Sequence, residues 1–139
     1  IDIAKSSAVN AIKFQTFKAS ELISDHNQKY TYKSQGKKVT ESMLDMFKRY
    51  ELDKEDWKKI KKRCDEKKIL FLSTPQNKTD LDLLLNLKIT AIKVGSDDLT
   101  NLPLIKEYSS TGLPLFLSCG MADLSEISTL SFFKSLISL

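Results

Sequence analysis

Histidine occurs once in this chain, at His26, and cysteine twice, at Cys64 and Cys119. A single imidazole cannot form a paired-histidine ligand set. The two cysteines, far apart and without C-x-x-C spacing, offer neither a metal knuckle nor a redox pair, so a reducing, cytoplasmic setting is expected. His26 reads as a surface loop residue, and Cys119 has no base near it in sequence that would make it a nucleophile. Long apolar runs are missing too. No stretch approaches the roughly 18 consecutive apolar residues of a membrane span, and no basic-then-apolar leader is visible. The first residue is Ile1 rather than Met, so the beginning reads as cut and the missing leader carries little weight.

The excess of one charge is modest. Lysine and arginine total 22 against 18 acids, a net charge of +4. The densest basic stretch, from Lys54 to Lys68, is interrupted by Glu55, Asp56, Asp65 and Glu66, and carries Trp57, Ile60 and Cys64 at helical spacing. That pattern describes a solvated helix face with one buried stripe. Aromatic residues are not interleaved with the cations, so no nucleic-acid partner is expected. With 41% hydrophobic and 29% charged residues, the composition is that of a globular chain able to bury one core.

What the sequence does contain is four short apolar runs ending in two alternating signatures: Ala11-Ile12-Lys13, Leu70-Phe71-Leu72-Ser73, Ala91-Ile92-Lys93 and Leu115-Phe116-Leu117-Ser118. They predict strands over Ala11–Thr16, Ile69–Ser73, Ile89–Gly95 and Leu115–Ser118, with helices between them. Asp53 is expected to cap a helix over Lys54–Lys67, and Asn101 another with Pro103 in its first turn. Thr40 is expected to cap a helix to Tyr50, and Thr79 with Asp82 to open a fourth in capping-box fashion. Asp123 and Glu126 open a fifth, continuing through Leu124, Ile127, Leu130 and Phe133 to the chain's end. Phe17–Gly36, polar and without a steady period, reads as an extended loop. The order β-α-β-α predicts an α/β fold with a parallel sheet. A closed eight-stranded barrel takes roughly 250 residues, so 139 residues allow about half of a TIM barrel, a partial chain.

In such a barrel alternate strands feed side chains into one interior layer, which would set two lysines and two serines around one cavity. Lys13 and Lys93 fall mid-strand, a costly place for an ammonium unless it has a partner or lines a wet cavity. Ser73, Ser96 and Ser118 lie at strand ends, where hydroxyls can donate to phosphate or carboxylate oxygens, and Gly95 and Gly120 let a ligand approach the backbone. Gln15 shares the face of Lys13 and reads either as a ligand contact or as a structural amide. Asp98 reads equally as an acid handling a substrate hydroxyl and as a cap for the helix at Asn101.

At these residues the chain resembles the amino-terminal half of the sialic acid synthase family, which includes N-acetylneuraminate, legionaminate and pseudaminate synthases. The resemblance rests on AIKFQTF (Ala11–Phe17), FLSTP (Phe71–Pro75), IKVGSDDLTNLPL (Ile92–Leu104) and LSCGM (Leu117–Met121). It implies that residues 1–139 are one partial catalytic barrel domain. It also implies an enzyme that condenses phosphoenolpyruvate with an N-acetylated amino sugar such as N-acetylmannosamine, assisted by Mn2+ or Mg2+. By position, Lys13, Lys93, Ser96 and Ser118 match the residues that hold phosphoenolpyruvate, and Asp98 matches an acid near the sugar. Asp97 stands where the family usually has Gly, Cys119 where it has Thr, and Ala8 where a Gly is common. The family's first strand, its metal-binding histidines and its carboxyl-terminal domain have no counterpart here, so no metal ligand is assigned and these residues alone are expected to be catalytically silent. Intact members tend to form dimers. A different phosphoenolpyruvate-using barrel synthase or aldolase, and a non-catalytic half-barrel, are the competing readings.

Overall fold

A computed structural model of the chain describes residues 1–130 and the backbone of 136–138. The elements run α1 (Asp2–Ser6), β1 (Ala11–Thr16), α2 (Ala19–Leu22), β2 (Lys29–Ser34), β3 (Lys37–Ser42), α3 (Met43–Lys48), α4 (Lys54–Glu66), β4 (Leu70–Pro75), α5 (Lys78–Asn86), β5 (Ile92–Val94), α6 (Leu102–Ser110), β6 (Leu115–Leu117), α7 (Leu124–Thr129) and β7 (Leu136–Ser138). β1, β4, β5, β6 and β7 form one sheet in that order, each pair parallel. The α/β reading holds, with strands laid down side by side in chain order as in a partial barrel.

Among the described residues, the helices cover one side of this sheet only. Phe71, Ile92, Val94, Leu115 and Leu117 pack there against Trp57 and Cys64 of α4, Leu81 and Leu84 of α5, and Ile105 and Tyr108 of α6. Trp57 meets Phe14 edge-on, with ring centroids 6.0 Å apart, and lies 6.2 Å from Phe71. The Tyr108 hydroxyl, fully buried, donates to the Pro75 carbonyl at 3.0 Å and so ties α6 to the carboxyl end of β4. The expected α4 stripe is present, with Trp57 and Cys64 buried. Its cations are mostly paired on the outer surface, Lys58 with Glu55, Lys59 with Asp56 and Lys61 with Asp65.

The caps at Asp53, Asn101 and Asp123 form as expected, the last as a full capping box with Glu126. Two others are corrected. Ser42 rather than Thr40 caps α3, because Thr40 is engaged in β3, opposite Thr31. Asn77 rather than Thr79 caps α5, accepting from the Asp80 N–H at 2.9 Å, which starts that helix a residue before Thr79. The stretch expected to be loop, Phe17–Gly36, holds α2, β2 and the turn at Gln35 and Gly36 with φ of 49° and 78°, which leads into β3 as an antiparallel hairpin. Those two consecutive positive values suit a tight hairpin turn. The last helix is shorter than expected. α7 ends at Thr129 and a strand follows at Leu136–Ser138, while Phe133 lies outside the described residues. Ala8, where a glycine is common in the resembling family, has φ of 57°, a left-handed conformation that costs a residue with a Cβ about 1 kcal/mol.

Asp80, 3% exposed, accepts from the Gln76 N–H at 3.3 Å. Burial pushes its carboxyl up to about 6, against the Gln76 N–H and with help from Glu21. The native pKa is raised, so the native state holds a proton that the unfolded chain has released. That stability is complete below about pH 4 and is lost as pH rises through about 6. Asp80→Asn keeps an acceptor and removes the charge. It should flatten this dependence and raise stability at pH 7 by about 2 kcal/mol, as read from urea unfolding at pH 4 and pH 7.

Candidate functional site

The uncovered side of the sheet is a trough of about 500 Å3 whose lining includes Ala11 and Lys13 of β1, Leu70 and Leu72 of β4, and Lys93 and Phe116 of β5 and β6. Side chains alternate along a strand, so these residues mark one face, and register agrees: Lys13 pairs with Leu72, and Lys93 with Phe116. The two lysines therefore project from next-but-one strands into one hollow, as the repeated Ala-Ile-Lys signature predicts. Lys13 is exposed at the open edge and Lys93 is half-buried.

Lys93 Nζ donates to Ser118 Oγ at 2.5 Å and to the carbonyl of Val94. Burial pulls its pKa below the ordinary lysine value, and the charge of Lys13 pulls in the same direction; Cys119 and Asp97 oppose them. Such an ammonium is poised for an anion, which would repay the lost hydration and relieve the repulsion between the lysines. Ser118, Lys93 and Lys13 thus form a cationic cradle with a hydroxyl in it.

Ser73 is not part of it. The Phe-Leu-Ser runs look alike, but they sit out of phase by one residue. Leu70 and Leu72 face the trough on β4, whereas Phe116, with Ser118 by alternation, faces it on β6. A one-residue shift turns every side chain to the other side. Ser73 consequently lies on the helix side, fully buried, where its hydroxyl shares a 2.7 Å hydrogen bond with Thr16. The expectation of two serines around one cavity is corrected to one. Of the Ser73-Thr74 strand end, it is Thr74, the register partner of Gln15, that lies on the Lys13 face of β4, itself buried. Its signal was the pairing of strand ends, which no single strand displays.

Gln15 is exposed on the Lys13 face, towards the carboxyl end of β1. Ser96 is half-buried in the turn after β5, which closes where the Asp98 N–H donates to the Gly95 carbonyl at 3.3 Å. Asp98 is turned to α6. Burial raises its carboxyl pKa and Asp97 adds to the rise, while a hydrogen bond with Asn101, the cap of α6, opposes both. Of the two readings of Asp98, this contact is that of the helix start. The acid that acts on Lys93 is its neighbour Asp97. His26 is exposed in the loop before β2, and Cys119 packs at the margin of the helix-side core. Among the described residues, no three His, Cys, Asp or Glu side chains converge as a metal site requires. The described residues therefore do not fit a resident Mn2+ or Mg2+, and no chemistry is assigned to one on them. No helix among them is long and apolar enough to cross a membrane.

Residues 1–134 match the NeuB family. An N,N'-diacetyllegionaminic acid synthase of Campylobacter jejuni is 37% identical over 127 residues, covering 91% of this chain and 38% of that protein. A protein of the same name from Legionella pneumophila is 34% identical over 124 residues, covering 89% of this chain and 35% of that one. The crystal structure of an N-acetylneuraminic acid (sialic acid) synthetase from Leptospira borgpetersenii, in complex with citrate, superposes with a TM-score of 0.82 at 29% identity, over 99% of this chain and 45% of that one. The chain thus spans between a third and two fifths of the length of these two curated relatives.

Proposed function

The chain belongs to the NeuB family, and from that membership we propose that it serves the condensation of phosphoenolpyruvate with an N-acetylated amino sugar such as N-acetylmannosamine, giving a nine-carbon 2-keto sugar acid and phosphate. Residues 1–139 are then one portion of a catalytic barrel, and their share of the work is to hold the enolpyruvate. The observation that carries this reading is the cradle itself, with Lys13 and Lys93 in one trough and Lys93 bound to Ser118.

Two ammonium groups near a hydroxyl match a ligand with a phosphate and a carboxylate a few ångströms apart. Lys93 meets one anionic group while Ser118, already oriented by the Lys93 bond, donates its proton to the same oxygens. Ser96 and Gln15 stand at the carboxyl ends of β5 and β1, where a parallel barrel keeps its reacting groups. Asp98 is half-buried and holds Asn101 at the start of α6; it would take up a hydroxyl or the acetamido group of the acceptor sugar only by exchanging that contact for the ligand.

Calorimetric titration of the chain with phosphoenolpyruvate, beside pyruvate and N-acetylmannosamine alone, tests the reading. Phosphoenolpyruvate should bind, pyruvate should bind at least about tenfold more weakly for want of the phosphate contact, and affinity should fall as salt is raised. Equal binding of pyruvate would remove the phosphate from the proposal. Release of phosphate from phosphoenolpyruvate and N-acetylmannosamine by these residues alone is not expected. An aldose phosphate preferred over the N-acetylated sugar would favour the other barrel synthases.

A further inference from the structure

The turn after β5 carries an acid into the mouth of the cradle. Gly95 continues the alternation of Ala91 and Lys93, so the side chain it lacks would face the trough. A Cβ placed there would lie 2.1 Å from Asp97 Oδ1. The Asp97 carboxylate thus occupies the space over Gly95, one step beyond Lys93 on the same face, and the missing methyl is what admits it. The turn closed by the Asp98 N–H and the Gly95 carbonyl folds Asp97 back over the strand end.

The groups acting on the Lys93 ammonium are Lys13, which repels it, Ser118 and the Val94 carbonyl, which accept its hydrogen bonds, and Cys119 and Asp97, which favour its charge. Asp97 acts through space rather than through a hydrogen bond. Its side chain is exposed, so moving it away from Gly95 disturbs no core contact. An incoming phosphate or carboxylate would need the same space and would meet a negative charge already in it.

We propose that Asp97 is a built-in counter-ion of the cradle, holding the place over Gly95 in the free protein and being displaced when an anionic ligand enters, so that it sets the affinity of the site. The inference rests on the reading of Lys13 and Lys93 as an anion cradle. It identifies Asp97 as an affinity-setting residue.

The test uses Asp97→Asn, which keeps the shape and removes the charge, and Asp97→Gly, which removes both, with two measurements on the full chain. Phosphoenolpyruvate affinity by calorimetry should rise about fivefold in D97N and at least as much in D97G, a gain of the size expected from removing one partly screened like charge. The Lys93 ammonium, followed by lysine NMR in the absence of ligand, should titrate at lower pH in D97N than in the native chain. Affinity that falls or stays within about twofold in D97N while the native chain binds would overturn the proposal; tightening confined to D97G would do the same, since space rather than charge would then be responsible. If neither protein binds phosphoenolpyruvate, the cradle reading fails. The counter-ion itself is then judged by the titration, and an unmoved Lys93 overturns it.

Discussion

Lys93→Met should weaken phosphoenolpyruvate binding by about a hundredfold without lowering the melting temperature. The loss follows from removing a hydrogen bond to a charged group, worth about 1.5–3 kcal/mol, together with half of the ammonium pair, at about 1.4 kcal/mol for each factor of ten. The stability of the protein should hold for a separate reason. Burial and Lys13 both disfavour the Lys93 charge, and the Val94 carbonyl keeps a second partner in the Ser118 N–H at 3.2 Å. The freed Ser118 hydroxyl is half-buried and can turn to water. Titration calorimetry beside a thermal melt separates the two effects. Affinity within about threefold of the native chain would mean that the ammonium does not meet the ligand.

The second large effect belongs to the core. Trp57→Ala should cost about 4 kcal/mol, in the range of large aromatic truncations, out of the 5–15 kcal/mol that hold a typical domain together. Trp57 is 3% exposed and joins α4 to Phe14 of β1 and Phe71 of β4. Its loss opens a hole beneath the strand that carries Lys13. Urea unfolding should show a much lower midpoint, and a change below about 1 kcal/mol would mean that the ring contributes little to joining helix and strand.

The alternation of strands and helices was legible in the sequence because buried parallel strands read as short apolar runs and the helices between them carry caps. Asp53, Asn101 and Asp123 announced themselves as such. The hairpin at Lys29–Ser42 was not, since both of its faces are largely exposed and no apolar period marks it. Tyr30 and Tyr32, alternating before the Gln35-Gly36 turn and stacked 6.0 Å apart, were the signal available. For the site, the matching context of Lys13 and Lys93 placed both correctly on one face. The same logic failed for Ser73 because two runs that look alike enter the sheet one residue out of step, and only the pairing register reveals it. In the sequence Asp97 is only a departure from the resembling family, since a side chain folding back over a glycine two residues earlier leaves no periodic trace.

The bond from Tyr108 to the Pro75 carbonyl fastens a later helix to the rim of an earlier strand. Thr74 sits immediately before that anchor, so its position is shared between two β-α units and cannot drift with either one alone. Adjustment to a guest molecule then falls to the exposed side chains at the rim, Asp97 above all, while the floor beneath them stays fixed.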